Sequence, residues 1–379
     1  MYSVDDVAKV VLTVSIMVVF TEVAVSVFWN YMTGFDEKRY KISKQGENFD
    51  SDLYMQNLTR PTDLPTPRRL SVIPVGEDIS EGHAHQAVRS KTVKVHVYNV
   101  SQPVTDGKGI QCVQMRIGIS YVYTPICIYP PKEDTIISAS LADGNPFQKE
   151  LLEPFIKLLR KDPTMHLIDI GANLGIWTLT AAKLGRKVIA VEPYPPTVAR
   201  LHLSIVKGHL ESFVTIITDP ISDHHHNATL KMAEKNMGGI SLQKLRLRTA
   251  TRVSTITMDD LVPYLPRKMK RAFIKMDIES MELRALSKCD KLLRAIDIPV
   301  IMFEFFQYKN LLQRKELRQF GLWMKSMNYI PYNSLGKNRE RLGDVTTDRR
   351  YRQISDLYLI KKESLQKILR WTEGEDIRV

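Results

Sequence analysis

The sequence predicts an α/β domain in which a mostly parallel sheet is covered by helices on both faces. Two observations predict it. From residue 165 onward, short apolar runs rich in Val and Ile alternate with amphipathic helical patterns, which is typical of a parallel sheet. The run "MHLIDI" also ends close to an acid, and two glycines, Gly171 and Gly175, follow it four positions apart. That combination is typical of a strand–helix junction at which the backbone approaches a ligand.

The elements of this domain can be placed in order. Strand-like runs occupy 166–170, 187–191, 213–217, 272–276, 299–305, 328–332 and 356–360. Helical patterns lie between most of them, at 174–184, 195–207, 279–287 and 312–327. Ligands of such sheets bind outside the carboxyl ends of the strands, at the topological switch point. We therefore expect the site where the first, second, fourth and fifth strands end.

An apolar segment lies near the start of the chain. Residues 10–31 are apolar apart from Glu22, and as a helix they would rise roughly 33 Å, enough to cross a hydrocarbon core. Trp29 and Tyr31 suit a membrane–water interface. The alternative is a cleaved signal peptide with "AVS" at 24–26 as its cleavage site, but its first residues are acidic where basic ones are expected. The segment therefore favours a single-pass membrane anchor.

The side of the membrane on which the body lies is contested within the sequence. Basic residues mostly follow the span, which favours a cytosolic body. Three glycosylation sequons, at Asn57, Asn99 and Asn227, favour a luminal one. Cys112 and Cys127 lie in neighbouring strand-like runs and would pair in an oxidising lumen, although buried cytosolic thiols are the alternative. We expect a glycoprotein whose body lies in the secretory pathway.

Composition divides the chain into five regions. Residues 1–35 form the anchor, and 36–90 are polar and proline-containing, as in a stem or linker. Residues 91–140 are a β-rich extension, 141–365 the α/β domain, and 366–379 a C-terminal tail. The formal net charge of +12 is typical of a protein that binds an anionic partner or, more simply, of one with a solvated basic face.

The first two strands carry the first half of the predicted site. Asp169 belongs to the end of the first strand, and Gly171, Asn173 and Gly175 form the turn. Glu192 ends the second strand, where a carboxylate accepts both hydroxyls of a ribose. A dinucleotide fold requires Gly-x-Gly-x-x-Gly, and here the middle glycine is missing. The acid before the turn would repel a pyrophosphate but suits the ammonium of a methionine moiety, which predicts S-adenosylmethionine (SAM) as the cofactor.

Carboxylates at the ends of the fourth and fifth strands form the second half. In "AFIKMDIESMELRAL", residues 272–286, Asp277 ends the strand and Glu279 and Glu282 follow it. Glu304 ends the fifth strand at the same edge. Carboxylates placed there would act as a base, bind a metal or orient a hydroxyl, and the sequence leaves metal binding open. Glu282 we interpret as a helix-start acid that complements the helix dipole.

These stretches resemble the FkbM family of SAM-dependent methyltransferases over roughly residues 140–362. The resemblance is carried by "DIGANLG", "AVEPYP", "NMGGISL", "TITMDDL", "IKMDIESMEL" and "FEF". It implies a Rossmann-like class I methyltransferase with a mostly parallel seven-stranded sheet. By that likeness the cofactor residues are Asp169, Gly171, Asn173, Gly175 and Glu192, and the catalytic residues are Asp277, Glu279 and Glu304. Where the family usually has glycine, this chain has Ser280.

The function we predict is transfer of a methyl group to a hydroxyl oxygen of a glycan, a lipid or a small molecule. In-line displacement requires reacting atoms about 3–3.5 Å apart and an acceptor for the hydroxyl proton, which would be Asp277 or Glu279. One alternative is a nucleic-acid methyltransferase, which the membrane anchor disfavours. The other is a non-catalytic membrane-bound scaffold that keeps the fold.

Overall fold

A computed structural model describes residues 94–104, 109–117, 122–143, 147–233, 236–244, 252–305 and 314–373. All of them belong to one compact unit, Ala87–Val379. The predicted anchor and stem lie outside the described residues, as do residues 374–379 of the predicted tail. Within the described ranges, no helix combines the length and the apolar character that crossing a membrane requires.

The chain alternates between strands and helices. In chain order the elements are β1 (Val97–Tyr98), β2 (Gln111–Arg116), β3 (Tyr123–Ile128), α1 (Ile137–Ala142), α2 (Lys149–Lys161), β4 (Met165–Ile170), α3 (Ile176–Lys183), β5 (Val188–Val191), α4 (Pro195–Gly208), β6 (Val214–Ile217), β7 (Asn227–Ala233), β8 (Asn236–Lys244), β9 (Arg252–Ser254), β10 (Arg271–Met276), α5 (Glu282–Leu286), α6 (Asp290–Ala295), β11 (Asp297–Glu304), α7 (Arg314–Ser326), β12 (Tyr329–Tyr332), β13 (Asp356–Lys361) and α8 (Leu365–Glu373). Each strand predicted in the α/β domain is present, and its ends differ from the prediction by at most two residues.

The large sheet has the order β1-β6-β5-β4-β10-β11-β13-β12. Strands β6, β5, β4, β10 and β11 are parallel to one another, whereas β1 pairs antiparallel with β6, β13 with β11, and β12 with β13. The predicted mostly parallel sheet is therefore confirmed. It has eight strands rather than seven, because β1 adds an antiparallel strand to the free edge of β6. From β4 the chain continues to β5 and β6 on one side of the sheet, and from β10 it continues to β11 on the other side. The boundary between β4 and β10 is therefore the topological switch point, where ligands bind in such sheets.

Helices cover both faces of this sheet. On one face the rings of Phe155, Trp177 and Phe273 pack together, and they join α2 and α3 to β10. On the other face Phe303 packs edge-on against Phe320, which joins β11 to α7. Every residue of β4 and of β5 is buried. Strands that are buried on both faces have no polar alternation, which explains why these strands appear in the sequence as continuous apolar runs.

The β2–β3 hairpin packs on the first of these faces. Cys112 and Cys127 are direct partners in its antiparallel register and form a disulfide. The backbone N–H of Cys127 donates to Ser204 Oγ of α4 at 2.8 Å, and Ile126 and Ile128 are buried in the same core. The pairing expected for an oxidising compartment is thus present, and Cys289 is a buried free thiol.

A small sheet with the order β8-β7-β9 follows β6. Its strands are antiparallel, with a register irregularity between Met232 and Ala233. No strand was predicted in this region from the sequence. The sheet matters for function because it lies against the loop that follows β4.

Candidate functional site

The loop after β4 is a tight turn that only small residues allow. Gly171 has a φ of +78°, and a Cβ built on it would lie 1.9 Å from the backbone oxygen of Asp277. Gly175 has a φ of +92°, and its Cβ would lie 2.4 Å from Leu201 Cδ1 on α4. Asn173 has a φ of 52°, and its Oδ1 accepts from the N–H of Leu174 at 2.8 Å. The glycines therefore bring the loop against the end of β10 and let α3 pack against α4.

Asp169 lies beneath this loop and is fully buried. Its Oδ2 accepts a hydrogen bond from Thr178 Oγ1 at 2.7 Å, while its buried Oδ1 has no hydrogen-bond partner. Burial raises the pKa of this carboxyl, and the charge of Lys275 opposes the effect. Asp169 was predicted to line the cofactor, but it lines neither of the clefts described below.

Glu192 follows β5, and its carboxylate is held by two backbone N–H groups. Oε2 accepts from the N–H of Asn173 at 3.0 Å and Oε1 accepts from the N–H of Tyr194 at 2.9 Å. Burial raises the pKa of Glu192 to about 7, although these hydrogen bonds favour the ionised form. Because each carboxylate oxygen has two lone pairs, the group keeps the capacity to accept two further hydrogen bonds.

A cleft opens above Glu192. Its lining is mostly aliphatic, with one buried carboxylate and two glycines; the residues are Gly171, Asn173, Val191, Glu192, Pro193, Pro220, Ile221, Leu230, Gly238, Ile240, Leu242, Asp277 and Ile278. We call it the Glu192 cleft. An apolar slot with a few fixed polar groups is the usual form of a small-molecule site.

A second, larger cleft adjoins it. It shares Asn173, Gly238 and Asp277 with the Glu192 cleft. Its other lining residues are Ile136, Ile137, Phe147, Gln148, Ala172, Leu174, Gly175, Ile176, Trp177, Asn236, Lys275, Glu279 and Glu304. We call it the carboxylate cleft, because three of its four ionisable lining residues are acids. Asp277, which lines both clefts, lies where two bound ligands would meet.

The turn after β10 has an uncommon backbone. Glu279 and Ser280 are consecutive residues with φ values of 54° and 74°. Side chains other than that of glycine rarely adopt this region, so Ser280 occupies a conformation suited to the glycine usual in the family. Glu282 is buried at the start of α5, and its Oε1 accepts from the N–H of Ile278 at 2.8 Å. The interpretation of Glu282 as a helix-start acid agrees with this geometry.

Glu304 ends β11 and lies opposite Asp356 of β13 in the antiparallel register. Burial, with added repulsion from Asp277 and Glu279, raises the pKa of Glu304 to about 8. At neutral pH this carboxyl group therefore holds a proton and is able to donate a hydrogen bond. It differs in this respect from an ordinary surface glutamate.

Lys275, in β10, is a site residue that the sequence analysis missed. Its Nζ donates to the backbone oxygen of Gly171 at 2.9 Å and lies 3.7 Å from both Asp169 Oδ1 and Asp277 Oδ2. Burial disfavours the charged ammonium, but the surrounding carboxylates outweigh this and raise the pKa of Lys275. The signal was available, because a lysine inside a strand buried on both faces requires an acidic partner.

Strand β8 forms a roof over both clefts. A Cβ on Gly238 would lie 2.3 Å from Asn173 Nδ2, so the strand touches the loop after β4. Leu230, Ile240 and Leu242 of β7 and β8 line the Glu192 cleft. The "NMGGISL" run, which the sequence analysis used only for the family resemblance, thus encloses the site.

The structure brings the predicted site residues to one edge of the sheet, apart from Asp169, which lies below it. Their roles in binding and catalysis stay predictions. Among the residues that the structure describes, no group of three or more His, Cys, Asp or Glu side chains is arranged to hold a metal ion.

Comparison with known families adds to this geometry. Residues 169–331 match the methyltransferase FkbM domain. The match extends from Asp169 in β4 to Pro331 in β12 and so includes both clefts' acidic residues. The resemblance drawn from the sequence is confirmed for this part of the chain, which matches a methyltransferase domain.

Solved structures of methyltransferases resemble the chain distantly. The methyltransferase FkbM of Methylobacillus flagellatus KT is 15% identical with a TM-score of 0.32, over 52% of this chain and 43% of that one. This chain thus spans less than half the length of that protein. An O-methyltransferase of Bacillus cereus in complex with SAH is 11% identical with a TM-score of 0.32, over 60% and 89%. A SAM-dependent O-methyltransferase of Thermotoga maritima is 11% identical with a TM-score of 0.29, over 66% and 77%. No curated protein matches the chain.

Proposed function

We propose that this methyltransferase domain uses SAM and transfers the methyl group to a hydroxyl oxygen. The observation that carries the proposal is the pair of adjoining clefts that share Asp277. One contains a buried carboxylate suited to a ribose, and the other contains the acids that a hydroxyl acceptor requires. The acceptor is a glycan, a lipid or a small molecule.

The Glu192 cleft suits the adenosine part of SAM. Two oxygens of Glu192, fixed by the N–H groups of Asn173 and Tyr194, offer lone pairs to the two ribose hydroxyls. The aliphatic side chains of Ile221, Leu230 and others suit the faces of a purine. The cofactor's methionine part would then extend past Asn173 toward the carboxylate cleft.

The carboxylate cleft suits an acceptor hydroxyl. When bound, SAM supplies a methyl carbon to which the acceptor oxygen bonds as the carbon–sulfur bond breaks. Asp277 is placed to take the hydroxyl proton, since it lies where the clefts meet. Glu304, protonated at neutral pH, is able to donate a hydrogen bond that orients the acceptor. Phe147 and Ile137 offer an apolar wall for its body.

Calorimetric titration of S-adenosylhomocysteine (SAH) tests the cofactor assignment. Glu192→Ala should weaken binding roughly 10- to 150-fold, because a charge-assisted pair of hydrogen bonds contributes about 1.5–3 kcal/mol. The matched control is Glu153→Ala on α2, which removes an acid that pairs with Lys149 away from both clefts. An unchanged dissociation constant for Glu192→Ala would remove that residue from the site.

Transfer of labelled methyl groups to the glycoprotein and lipid fractions of a membrane extract tests the chemistry. Asp277→Asn keeps the shape of the side chain and removes its charge, so transfer should fall by roughly 10²–10⁴, the usual share of general base catalysis. SAH affinity should change little. Asp290→Asn, an exposed acid on α6, is the control. Transfer at the wild-type rate by Asp277→Asn would identify a different base.

We also propose that the chain is a single-pass membrane protein with a luminal body. The disulfide between Cys112 and Cys127 supports an oxidising compartment. The exposed side chains of Asn99 and Asn227, each in a sequon, support access to glycosylation. Glycosidase treatment of the full chain should lower its apparent mass, and Asn-to-Gln changes at Asn57, Asn99 and Asn227 should abolish that shift. A chain without a shift, with Cys112 open to thiol labelling, would establish a cytosolic body.

A non-catalytic scaffold is the second candidate function. The observation that favours it is Ser280 at a φ of 74°, a backbone position where the family usually has glycine. Such a protein would bind SAH and transfer no methyl group to any fraction of the extract. The two assays above therefore separate the candidates.

A further inference from the structure

Lys275 is an ammonium group placed inside a parallel sheet. It lies on β10 directly opposite Asp169 of β4 in the register, and only 5% of the residue is exposed. Burying a charged lysine has a large desolvation cost, which nearby acids must offset. Here Asp169 and Asp277 lie equally close to its Nζ, each at 3.7 Å.

The ammonium also joins the two loops that form the site. It donates to the backbone oxygen of Gly171, in the loop after β4, and pairs with Asp277, at the start of the loop after β10. These loops are in close contact, because a Cβ on Gly171 would strike the backbone oxygen of Asp277. One side chain therefore holds the cofactor loop and the proposed base in a fixed relation.

Lys275 is, in addition, the positive charge of the site. The other ionisable residues that line the two clefts, within the described part of the chain, are the acids Glu192, Asp277, Glu279 and Glu304. Such a concentration of carboxylates opposes its own ionisation unless a cation lies nearby.

We propose that Lys275 is a positioning residue for methyl transfer, which fixes the Gly171 loop against Asp277 and places a positive charge beside the carboxylates of the site. This inference rests on the proposed function, since it concerns the same site. It adds a residue that acts through the Gly171 loop and Asp277.

The charge of Glu192 offers a direct readout of this role. The groups that act on its carboxylate are Lys275 from β10, Asp169 from β4 and the phenol of Tyr129 beside it, together with the two N–H donors. Lys275 lowers the pKa of Glu192 and Asp169 raises it, with the balance at about 7. Because ribose binding requires the ionised form, SAH affinity should fall as the pH drops below about 7.

The experiment measures SAH dissociation constants by calorimetry between pH 5.5 and pH 9 for wild type and variants of the chain. Lys275→Met removes the charge and keeps the length of the side chain. We expect roughly tenfold weaker binding at pH 8 and a midpoint of the pH profile that moves upward by about one unit. Lys275→Gln, which still donates to the Gly171 oxygen, should show the same upward shift if Lys275→Met does not fold.

Controls separate this role from a merely structural one. Lys275→Arg, which keeps the charge, should restore the wild-type midpoint even if its affinity is lower. Lys361→Met removes a partly buried lysine of β13 that pairs with Asp297, and it should leave the profile unchanged. Weaker binding at every pH with an unmoved midpoint would overturn the proposal. Wild type that fails to bind SAH would instead overturn the proposed function, and this inference with it.

Discussion

Ser280 shows how a single residue departs from its surroundings. Its φ of 74° follows a φ of 54° at Glu279, so two side chains with a Cβ occupy the left-handed region in succession. A Cβ in the left-handed region costs conformational free energy, and Ser280→Gly removes that cost at one of the two positions. The same change makes the unfolded chain more flexible, which acts in the opposite direction. We expect the free energy of unfolding in urea to rise by up to about 1 kcal/mol, and methyl transfer to stay equal or rise.

The matched control for this change is Ser287→Gly at the end of α5, where φ is −66°. There a glycine relieves no strain and should lower the free energy of unfolding by about 0.5–1 kcal/mol. If Ser280→Gly were destabilised to the same extent as the control, the turn would not be strained.

Glu304 makes the stability of the domain depend on pH. Its folded pKa of about 8 lies above the ordinary value of 4.5. Between these values the folded chain holds a proton that the unfolded chain has lost, so the free energy of unfolding falls as the pH rises. Glu304→Gln should match wild type near pH 4.5 and exceed it at pH 8.5, as measured by urea unfolding at both values. The exposed Glu363→Gln should keep the wild-type dependence; a Glu304→Gln curve parallel to wild type would contradict the assignment.

At the residue scale, the sequence allowed the acidic site residues to be predicted, but it did not predict their protonation states or their depth in the fold. Glu192 and Glu304 were identifiable because an acid at the end of an apolar run has few structural reasons to be there. That burial raises the pKa of each, and that Asp169 lies beneath the loop, depends on neighbours from distant parts of the chain. Lys275 was missed because it is the single polar residue in an apolar run, and such a residue is usually interpreted as facing solvent.

At the scale of elements, the loop after β4 depends on glycine for two separate reasons, and a pair of variants distinguishes them. Gly171 and Gly185 both have a φ near +78°, but a Cβ would strike Asp277 only at Gly171, and at Gly185 it would meet nothing within 4 Å. Gly185→Ala should therefore lower the free energy of unfolding by about 1–2 kcal/mol, the cost of the backbone conformation alone. Gly171→Ala should lower it by about 3 kcal/mol or more, because overpacking adds to that cost.

SAH titration of the same two variants completes this test. Gly171→Ala should lose affinity because the loop must move away from β10, whereas Gly185→Ala should bind normally. Equal effects of the two substitutions on both stability and affinity would show that the close approach to Asp277 is unimportant.

The sequence predicted the strands of the large sheet but not those of the small sheet. Strands β4, β5, β10 and β11 are buried on both faces and so produce apolar runs that periodicity detects. The small sheet could not be predicted, because β8 contains Gly238 and Gly239 and its pairing with β7 includes a register irregularity. Strand β8 also approaches Asn173 in the loop after β4, a long-range contact that local sequence does not encode.

At the scale of the whole molecule, the disulfide should contribute measurably to stability. It closes a loop of 15 residues between Cys112 and Cys127, for which the loss of chain entropy in the unfolded state corresponds to about 3 kcal/mol. The double change Cys112→Ser and Cys127→Ser should lower the free energy of unfolding by about that amount, as measured by urea unfolding without reductant. Adding reductant to wild type should reproduce the loss and leave the double variant unaffected; a wild type insensitive to reductant would contradict the pairing.

The distribution of charge also differs between the whole molecule and its site. The chain carries a formal net charge of +12, whereas the carboxylate cleft has three acids and one lysine. The overall charge therefore says little about the acceptor. It is compatible with a basic exterior that interacts with anionic surfaces and with the proposed uncharged hydroxyl acceptor in the site.

The short strand β1 has a consequence for how the domain can be isolated. Val97 and Tyr98 pair with Ile217 and Ile216 and cover the outer edge of β6, and His96 is anchored there by Asp219. An uncovered strand edge offers unpaired N–H and C=O groups to any other chain and invites self-association. A fragment cut at residue 141, the predicted start of the α/β domain, would expose that edge. One that begins before Val95 keeps its own edge strand, so the practical start of the domain lies at least 46 residues ahead of the predicted one.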